Sequence, residues 1–377
     1  MKKAGEPLYP DDEVPLPQHN GRGALSNVSS RFDDEKKIRT TDGWDIDEEL
    51  PPLRTTLTKD ATRTVLARNT SPDVPFDRSI NPYRGCEHGC IYCFARPTHA
   101  YLGLSPGLDF ETRILFKPEA AKLLAGELTA PKYRCDVVAM GTNTDPYQPV
   151  ERELKITRSI LKVLSDFNNP VGIVTKNHLV TRDIDVLADM ARRNLAEVFL
   201  SVTTLDKDLA RTMEPRASAP HRRIDAIKAL ADSGVPVGVM TAPMIPGLND
   251  HEMEAILEAA TAAGATRAGF TVLRLPLEIK DLFEEWLRAN RPDRAEKVLS
   301  LIRQVRGGAL NQAEFGLRMR GEGPIADLLS ARFGAATKRL GLNRIRYRLD
   351  TQRFAVPEAA RLAAADAKRD QRQMKLL

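Results

Sequence analysis

Cysteine, aromatic residues and long apolar runs are all scarce in this chain of 377 residues. Aromatic residues make up 6% of the chain, and only four residues are cysteine. No stretch approaches the roughly 18 consecutive apolar residues of a membrane helix, so the sequence does not predict a transmembrane protein. The first residues are basic but no apolar segment follows them, which argues against a secretory signal. We therefore expect a cytoplasmic protein without an evident aromatic platform for stacking nucleobases.

Three of the four cysteines lie within eight residues of one another. They are Cys86, Cys90 and Cys93, and the fourth is Cys135. Clustered thiols make poor disulfide partners, and disulfides are rare in large cytosolic proteins. We therefore expect the clustered cysteines to bind a metal. Cys135 stands alone, and a buried structural thiol is the simplest interpretation of it.

Positive charge is concentrated at the end of the chain. The net charge is +5, yet residues 331–377 contain twelve Lys or Arg and four Asp or Glu, a local charge of +8. Residues 1–70 are rich in proline and charged side chains, so we expect an extended or disordered lead-in there. The segment NRIRYRLD (343–350) alternates arginine with apolar residues, which is typical of a half-exposed strand or an extended arm. We take residues 311–377 as a basic C-terminal extension.

Between these ends, short apolar runs alternate with amphipathic helical patterns about every thirty residues, which is typical of parallel βα units. The predicted strands cover 79–83, 135–142, 171–176, 196–204, 235–242 and 267–275. The predicted helices cover 151–167, 181–194, 220–234 and 250–264, and two more follow between 279 and 307. Six such units are too few for a closed eight-stranded barrel, so we predict an α/β fold, either a partial barrel or an open doubly wound sheet. In both folds, functional residues gather at the carboxyl ends of the strands.

The segment NPYRGCEHGCIYCFARP (81–97) carries the strongest chemical signal. Its cysteine spacing, C-x3-C-x2-C, lets three thiolates on one loop bind three irons of a cubane [4Fe–4S] cluster. The fourth iron then has no protein ligand and is an open Lewis-acid position. Gly85 and Gly89 permit the tight backbone that points the sulfurs inward. The alternative is a zinc site with His88 or His99 as fourth ligand, although His88 would crowd the loop between the first two cysteines.

This segment resembles the radical S-adenosylmethionine (SAM) superfamily. The superfamily signature is C-x3-C-x-aromatic-C, and it is matched here by Cys86, Cys90, Tyr92 and Cys93. More narrowly, residues 81–117 are similar to an uncharacterised bacterial subgroup related to spore photoproduct lyase. We therefore interpret the chain as a radical SAM protein of the lyase-like group.

The resemblance covers residues 78–310 and implies that they form a radical SAM core domain with a partial (βα)6 barrel. It implies two cofactors, a [4Fe–4S] cluster and SAM, with the SAM amino and carboxylate groups on the open iron. It also implies a one-electron donor similar to flavodoxin or ferredoxin. Reductive cleavage of SAM would then give a 5′-deoxyadenosyl radical that abstracts hydrogen from a substrate.

The resemblance implies which loop contacts the SAM amino group. In the superfamily this is the loop after the second strand, here GTNTDPYQPVE (141–151), and it often contains a Gly-Gly-Glu motif that is absent from this chain. Asn143, Thr144 and Asp145 offer substitutes, and Asp145 supplies a charged acceptor for an ammonium group. The alternative is a polar turn ended by proline.

Four further residues are candidates for contacts to SAM. Tyr92 precedes the third cysteine, where its ring can pack beside a nucleoside. Lys176 and Ser201 match positions that contact the carboxylate or ribose in lyase-like members, although a lysine at a strand end is also a common surface charge. Arg216, within MEPRA (213–217), can pair with a carboxylate in bidentate fashion, and its alternative is a surface Glu–Arg pair of little energetic value.

Three functions remain open from the sequence. The first is a radical SAM enzyme, lyase-like or repair-like, on a nucleic acid bound through the basic extension, because Lys and Arg neutralise phosphates. The second is a radical SAM enzyme on a small molecule or peptide, with the extension as a lid. The third is a non-catalytic iron–sulfur redox or scaffold protein. Photoproduct lyase activity itself is disfavoured, because the lyase places its hydrogen-donor cysteine near the end of the second strand, whereas Cys135 begins that strand.

Overall fold

The computed structural model describes residues 19–34, 53–345, 348–363 and 365–366. Its strands are β1 (Thr56–Lys59), β2 (Leu66–Arg68), β3 (Arg78–Ile80), β4 (Tyr83–Arg84), β5 (Arg113–Phe116), β6 (Val138–Met140), β7 (Val171–Thr175), β8 (Ala196–Ser201), β9 (Val237–Met244) and β10 (Arg267–Val272). Its α-helices are α1 (Leu108–Thr112), α2 (Ala120–Thr129), α3 (Glu151–Leu154), α4 (Ile156–Asp166), α5 (Ile184–Arg192), α6 (Lys207–Met213), α7 (Pro220–Asp232), α8 (Met253–Ala262), α9 (Ile279–Asn290), α10 (Pro292–Gln304), α11 (Leu317–Arg320) and α12 (Gly323–Leu340). Short 3-10 helices cover Arg96–Leu102, His178–Asp183 and Asp250–Glu252.

The larger of two sheets has seven strands in the order β10-β9-β8-β7-β6-β3-β2. From β3 to β10 neighbouring strands are parallel, and β2 is antiparallel at one edge. The parallel strands follow chain order, without the reversal that a doubly wound sheet contains. Within the described residues β10 and β2 do not pair, so the sheet does not close into a full barrel. The predicted α/β partial barrel is therefore confirmed.

The parallel strands are apolar because helices cover one face and their own side chains fill the inside of the barrel. Val171, Ile173 and Thr175 of β7 are buried, as are Val198 and Leu200 of β8. The helices α4, α5, α7 and α8 each bury one apolar stripe against this layer. This packing holds the carboxyl ends of the strands at one edge of the sheet, where loops carry the polar residues.

Part of the segment for which we expected an extended or disordered lead-in packs on the core. Ala24, Leu25 and Val65 are buried. The backbone N–H groups of Gly23 and Ala24, together with those of Val65 and Leu66, donate to carboxylates of Glu111 and Glu127 much later in the chain. Nothing in the local sequence pattern signals such partners. Residues 1–18 and 35–52 of this segment lie outside the described residues.

The extension after α10 leads to the amino edge of the sheet, opposite the carboxyl ends of the strands. Helix α12 packs on α8, with Arg332 paired to Glu254. The chain then crosses the amino ends of the strands, where the backbone N–H groups of Asn343, Asp350 and Ala355 donate to Thr266, Asn194 and Phe167. The described residues of 343–350 form no strand, and Ile345 is 79% exposed. Residues 346–347, 364 and 367–377 lie outside the described residues.

Across the described ranges, none of the helices combines the length and the hydropathy that a membrane span requires.

Candidate active site

The three clustered cysteines lie on one loop that begins just after β4. Cys86 and Cys90 are buried and Cys93 is half-buried. The backbone N–H of Gly89 donates to the carbonyl of Cys86 at 3.4 Å, and that of Cys93 donates to the carbonyl of Cys90 at 3.2 Å. Two successive turns therefore bring all three thiols to the same side, where they line one cavity.

Both glycines of this loop have the conformation that the sequence predicted. Gly85 has φ +82° and Gly89 has φ +67°. A Cβ on Gly85 would lie 2.9 Å from the carbonyl oxygen of Phe110, and a Cβ on Gly89 would lie 2.8 Å from a carboxylate oxygen of Glu111. Larger residues would therefore be both strained and crowded at these positions.

A buried arginine holds the outer side of the loop. Nε of Arg96 donates to the carbonyl of Cys90 at 2.9 Å, and Nη2 donates to the carbonyl of Gly89 at 3.1 Å. Arg96 also pairs with the carboxylate of Glu111, and both side chains are fully buried. Because a planar guanidinium has five fixed donors, this one residue fixes several loop carbonyls at once.

A second buried carboxylate holds the first turn. Glu87 accepts the backbone N–H of Val150 at 2.9 Å, and its own N–H donates to the side chain of Gln148 at 2.9 Å. Nη1 of Arg216 lies 3.0 Å from Oε1 of Glu87. The cluster loop is thus tied to the segment that precedes α3 and to the segment that follows α6.

The chemistry of the three thiols fits a metal cluster. Burial raises the pKa of Cys86, Cys90 and Cys93, so each thiol stays protonated at neutral pH unless a cation replaces its proton. Among the described residues, no three His, Cys, Asp or Glu side chains converge on a point suited to a single metal ion. A cubane does not require such convergence, because each thiolate binds a different iron.

The thiols open into a cavity of about 570 Å3 at the carboxyl ends of the strands, a volume typical of small-molecule sites. Six of the seven predicted SAM-contacting residues line it, and they are Tyr92, Asn143, Thr144, Asp145, Lys176 and Ser201. The structure therefore brings residues from the cluster loop and from the ends of β6, β7 and β8 to one place.

The carboxylate of Asp145 is mostly buried and is surrounded by protein donors. Its Oδ1 accepts the hydroxyl of Thr175 at 2.7 Å and the backbone N–H of Tyr147 at 2.8 Å. Its Oδ2 accepts the backbone N–H of Lys176 at 2.8 Å and lies 3.4 Å from Nδ1 of His88. Burial acts to raise its pKa, but these partners outweigh burial and hold the pKa below its ordinary value. With four donors already present, Asp145 organises the loop.

The other lining residues of this group form a hydrogen-bonded wall. Nζ of Lys176 donates to Oγ of Ser201 at 3.0 Å and lies 5.6 Å from the centre of the Tyr92 ring. The hydroxyl of Thr144 donates to the carbonyl of Tyr83 at 3.1 Å, whereas the side chain of Asn143 is exposed. Lys176 therefore presents a positive charge to the part of the cavity beside Tyr92 and Ser201, which we call its inner half; the part beside Arg274 is its outer half.

Of the remaining residues considered from the sequence, His88 lines the cavity, whereas Arg216, His99 and Cys135 do not. Arg216 does not line the cavity, because its guanidinium pairs with Glu87 behind the cluster loop. His88 is buried between Asp145 and Asn177, and Nε2 of His99 faces the carbonyl of Arg113 at 3.0 Å. Cys135 lies before β6 with its Sγ 3.5 Å from Oδ1 of Asn169, at the amino edge of the sheet.

Two buried ion pairs near the cluster were not predicted from the sequence. One is Arg96 with Glu111, and the other is Arg223 with Glu214. Glu214 also accepts hydrogen bonds from the hydroxyls of Tyr92 and Thr203, so it fixes the ring beside the third cysteine. Glu214 belongs to the same MEPRA segment (213–217) as Arg216, and this position after the fourth predicted strand is its only signal in the sequence.

Comparisons with known proteins point to one family. A family model described as the radical SAM superfamily matches residues 80–260. An uncharacterized protein of Mycobacterium tuberculosis is 37% identical over 235 residues, which cover 61% of this chain and 68% of that protein. An uncharacterized protein of Methanocaldococcus jannaschii is 30% identical over 173 residues, which cover 46% of this chain and 62% of that protein.

Among solved structures, the chain is similar to a spore photoproduct lyase complexed with dinucleoside spore photoproduct. The TM-score is 0.55 at 15% sequence identity, and the match covers 76% of this chain and 80% of the other. At this identity the likeness concerns the fold.

Proposed function

Because the chain belongs to the radical SAM superfamily, we propose that it is an enzyme with one [4Fe–4S] cluster at Cys86, Cys90 and Cys93. When bound, the cluster supplies the electron that cleaves SAM to methionine and a 5′-deoxyadenosyl radical, which abstracts hydrogen from a substrate. One observation carries the proposal: the three thiols share a cavity with polar residues from three successive strand ends. The proposed core domain is 78–310, between the lead-in 1–70 and the extension 311–377.

The residues of the inner cavity suit the polar groups of SAM. Lys176 offers a cation to the carboxylate of SAM, and Ser201 holds that cation in place. Asn143 offers an exposed carboxamide as acceptor for the ammonium group, while Thr144 and Asp145 keep the loop in shape. Tyr92, fixed by Glu214, gives a ring for packing against the nucleoside.

The substrate class is argued from the position of the basic extension. From Asn343 onward, its described backbone contacts to the sheet lie at the amino edge, and the cavity lies at the carboxyl edge. None of the described residues after Asn343 lines the cavity. This separation favours a small molecule or peptide over a nucleic acid delivered by the basic segment after Asn343, and it gives the described part of that segment no role as a lid. Arg318 and Met319, earlier in the extension, do line the cavity.

Anaerobic reconstitution tests the proposal. We expect about four irons and four sulfides per chain, and 5′-deoxyadenosine on addition of dithionite and SAM. Lys176→Met should keep the iron and lower the affinity for SAM, whereas Cys93→Ala should lose the cluster. A reconstituted cluster whose EPR spectrum is unchanged by SAM, with no 5′-deoxyadenosine formed, would instead indicate a redox or scaffold protein.

A further inference from the structure

Besides the exposed Arg68, which also lines the cavity, three arginines lie at or next to it: Arg274 and Arg318 line it, and Arg306 lies beside Arg274. Two of these three are fully engaged. Arg306 is buried, and its guanidinium donates to the carbonyls of Val272 and Leu273 at 2.9 and 3.0 Å. Arg318 pairs with Asp73, with Nε 2.6 Å from Oδ2. The N–H donors of Arg306 are therefore satisfied by backbone carbonyls, and the charge of Arg318 is balanced by a carboxylate.

Arg274 is the third, and it differs from the other two. Its Nε is buried and has no hydrogen-bond partner among the described residues. Its Nη1 lies 3.4 Å from the sulfur of Met319, which is a weak acceptor. Burial, and then the neighbouring Arg318, lower its pKa. A cation without a matching acceptor is costly to bury, and a bound anion would offset that cost.

The position of Arg274 connects it to the chemistry. It follows β10 and lines the same cavity as the three cysteines. Its guanidinium carbon lies 5.4 Å from the ring centre of Phe94, the residue after Cys93. The side chain of Phe94 is 48% exposed, so an apolar surface borders the cation.

Arg274 is separate from the charge that we assign to SAM. Lys176 follows β7, and β7 and β10 are separated by three strand spacings, roughly 14 Å. The carboxylate of one bound SAM would occupy the part of the cavity beside Lys176. The part of the cavity beside Arg274 is then left for a second ligand.

We infer that Arg274 forms an oxyanion subsite for the substrate, in which its unpartnered Nε and the rest of its guanidinium bind a carboxylate or a phosphate beside Phe94. The inference rests on the proposed function, because it assigns the outer half of the cavity to the substrate of the radical reaction. Guanidinium recognises both oxyanions through paired N–H donors. The substrate therefore carries a carboxylate or a phosphate.

The test uses the methyl group of Met319 as a reporter, because its sulfur contacts Arg274. The reconstituted protein, labelled with 13C at the methionine methyl groups, is titrated with inorganic phosphate and with acetate at constant ionic strength. We expect saturable shifts of the Met319 resonance with at least one anion. Phosphate alone identifies a phosphate-bearing substrate, acetate alone identifies a carboxylate, and saturation by both supports a general oxyanion site.

Substitutions identify the residue that binds. Arg274→Gln should raise the dissociation constant about ten- to a hundredfold, the usual effect of losing a charge-assisted hydrogen bond. Arg274→Lys keeps the positive charge but lacks the planar guanidinium group. Its dissociation constant for the anion should lie between those of the wild type and Arg274→Gln. Arg320→Gln removes an exposed charge nearby that does not line the cavity, and it should match wild type.

The inference is overturned if neither anion gives saturable shifts, or if both Arg274 variants bind as tightly as wild type. Iron content and 5′-deoxyadenosine are measured on the same preparations. Normal values for both, without anion binding, refute the subsite alone, whereas loss of both in wild type refutes the proposed function. A lower SAM affinity in Arg274→Gln, without any anion binding in wild type, would assign Arg274 to SAM and also overturn the subsite.

Discussion

The carboxylate of Asp145 accepts the backbone N–H of Lys176 at 2.8 Å, which ties the loop after β6 to the end of β7. The same carboxylate accepts the hydroxyl of Thr175 and faces His88 in the cluster loop. Asp145 therefore connects two strand ends and the cluster loop.

Asp145→Ala is expected to lower stability as well as SAM affinity. It leaves the N–H of Lys176 and the hydroxyl of Thr175 without an acceptor, and each buried unsatisfied group costs about 1–3 kcal/mol. Thermal unfolding and calorimetric titration with SAM measure the two effects. Asn143→Ala, in the same loop but exposed, should weaken SAM binding at an unchanged melting temperature. If Asp145→Ala melts like wild type but does not bind SAM, its carboxylate contacts SAM directly, as the sequence suggested.

The cysteine series should separate the cluster ligands from the fourth thiol. Cys86→Ala, Cys90→Ala and Cys93→Ala should each abolish the brown chromophore, because a cubane on three thiolates has no spare protein ligand. Cys135→Ala should keep the full iron content, since its thiol lies near Asn169 at the other edge of the sheet. Iron and sulfide analysis measures this, and stoichiometric zinc without iron would contradict the cluster.

What the sequence predicted well is local in the chain. Three thiols within eight residues, with glycines before the first and second, define the cluster loop without knowledge of the fold. The alternation of strands and helices then indicated which loops share one edge of the sheet. The choice of Lys176, Ser201 and the loop near Asn143 within those loops came from the resemblance to the radical SAM superfamily.

What the sequence did not predict depends on contacts between distant residues. Arg96 looks like any charged loop residue until Glu111 is seen beside it, and the N–H groups of Gly23 and Ala24 reach Glu111 across more than eighty residues of sequence. Arg274 follows a strand end, as Lys176 does, but its missing acceptor is visible only in three dimensions. No periodic pattern encodes such pairs.

Gly23→Ala should expose the cluster to oxygen. A Cβ at Gly23 would lie 1.8 Å from the carbonyl oxygen of Gly89, so the N-terminal segment would have to move off the cluster loop. We expect faster bleaching of the chromophore in air and a lower melting temperature. The control is Gly126→Ala, at an open position of α2, which should stabilise by about 0.5–1 kcal/mol and leave bleaching unchanged. Equal bleaching rates in the two variants would show that the segment does not shield the cluster.

His99 should make the fold sensitive to mild acid. Burial lowers its pKa to about 4, from an ordinary value of 6.5. The imidazole of His99 therefore binds a proton more tightly in the unfolded chain than in the folded one. Its contribution to the free energy of unfolding is fully present above pH 6.5 and is lost as the pH falls towards 4. We expect a loss of about 2 kcal/mol in the free energy of unfolding between pH 7 and pH 5. Anaerobic urea unfolding of wild type and His99→Gln checks this, and parallel losses in both proteins would rule out His99 as the cause.

The basic extension provides the last prediction, because its charge and its packing can be separated. Phe354 packs against the rings of Tyr133 and Phe167, and Asp350 and Ala355 bond to the backbone at the amino edge of the sheet. Removing residues 343–377 should therefore lower the melting temperature, while the cluster ligands at the other edge remain in place.

Charge reversal of Arg344, Arg346 and Arg348 to Glu tests the charge alone. We expect an unchanged melting temperature and unchanged formation of 5′-deoxyadenosine, because Arg344 and Arg348 are exposed and lie away from the cavity, whereas Arg346 falls outside the described residues. If the extension instead binds nucleic acid, the triple variant should lose that affinity, and its salt dependence should flatten by about one log–log unit for each phosphate that the arginines no longer neutralise. A filter-binding series at several salt concentrations distinguishes the two results. Salt-dependent affinity that disappears in the variant would make a nucleic acid the favoured substrate. A nucleic acid bound by the extension would then have to reach from the amino edge of the sheet to the cavity at the carboxyl edge.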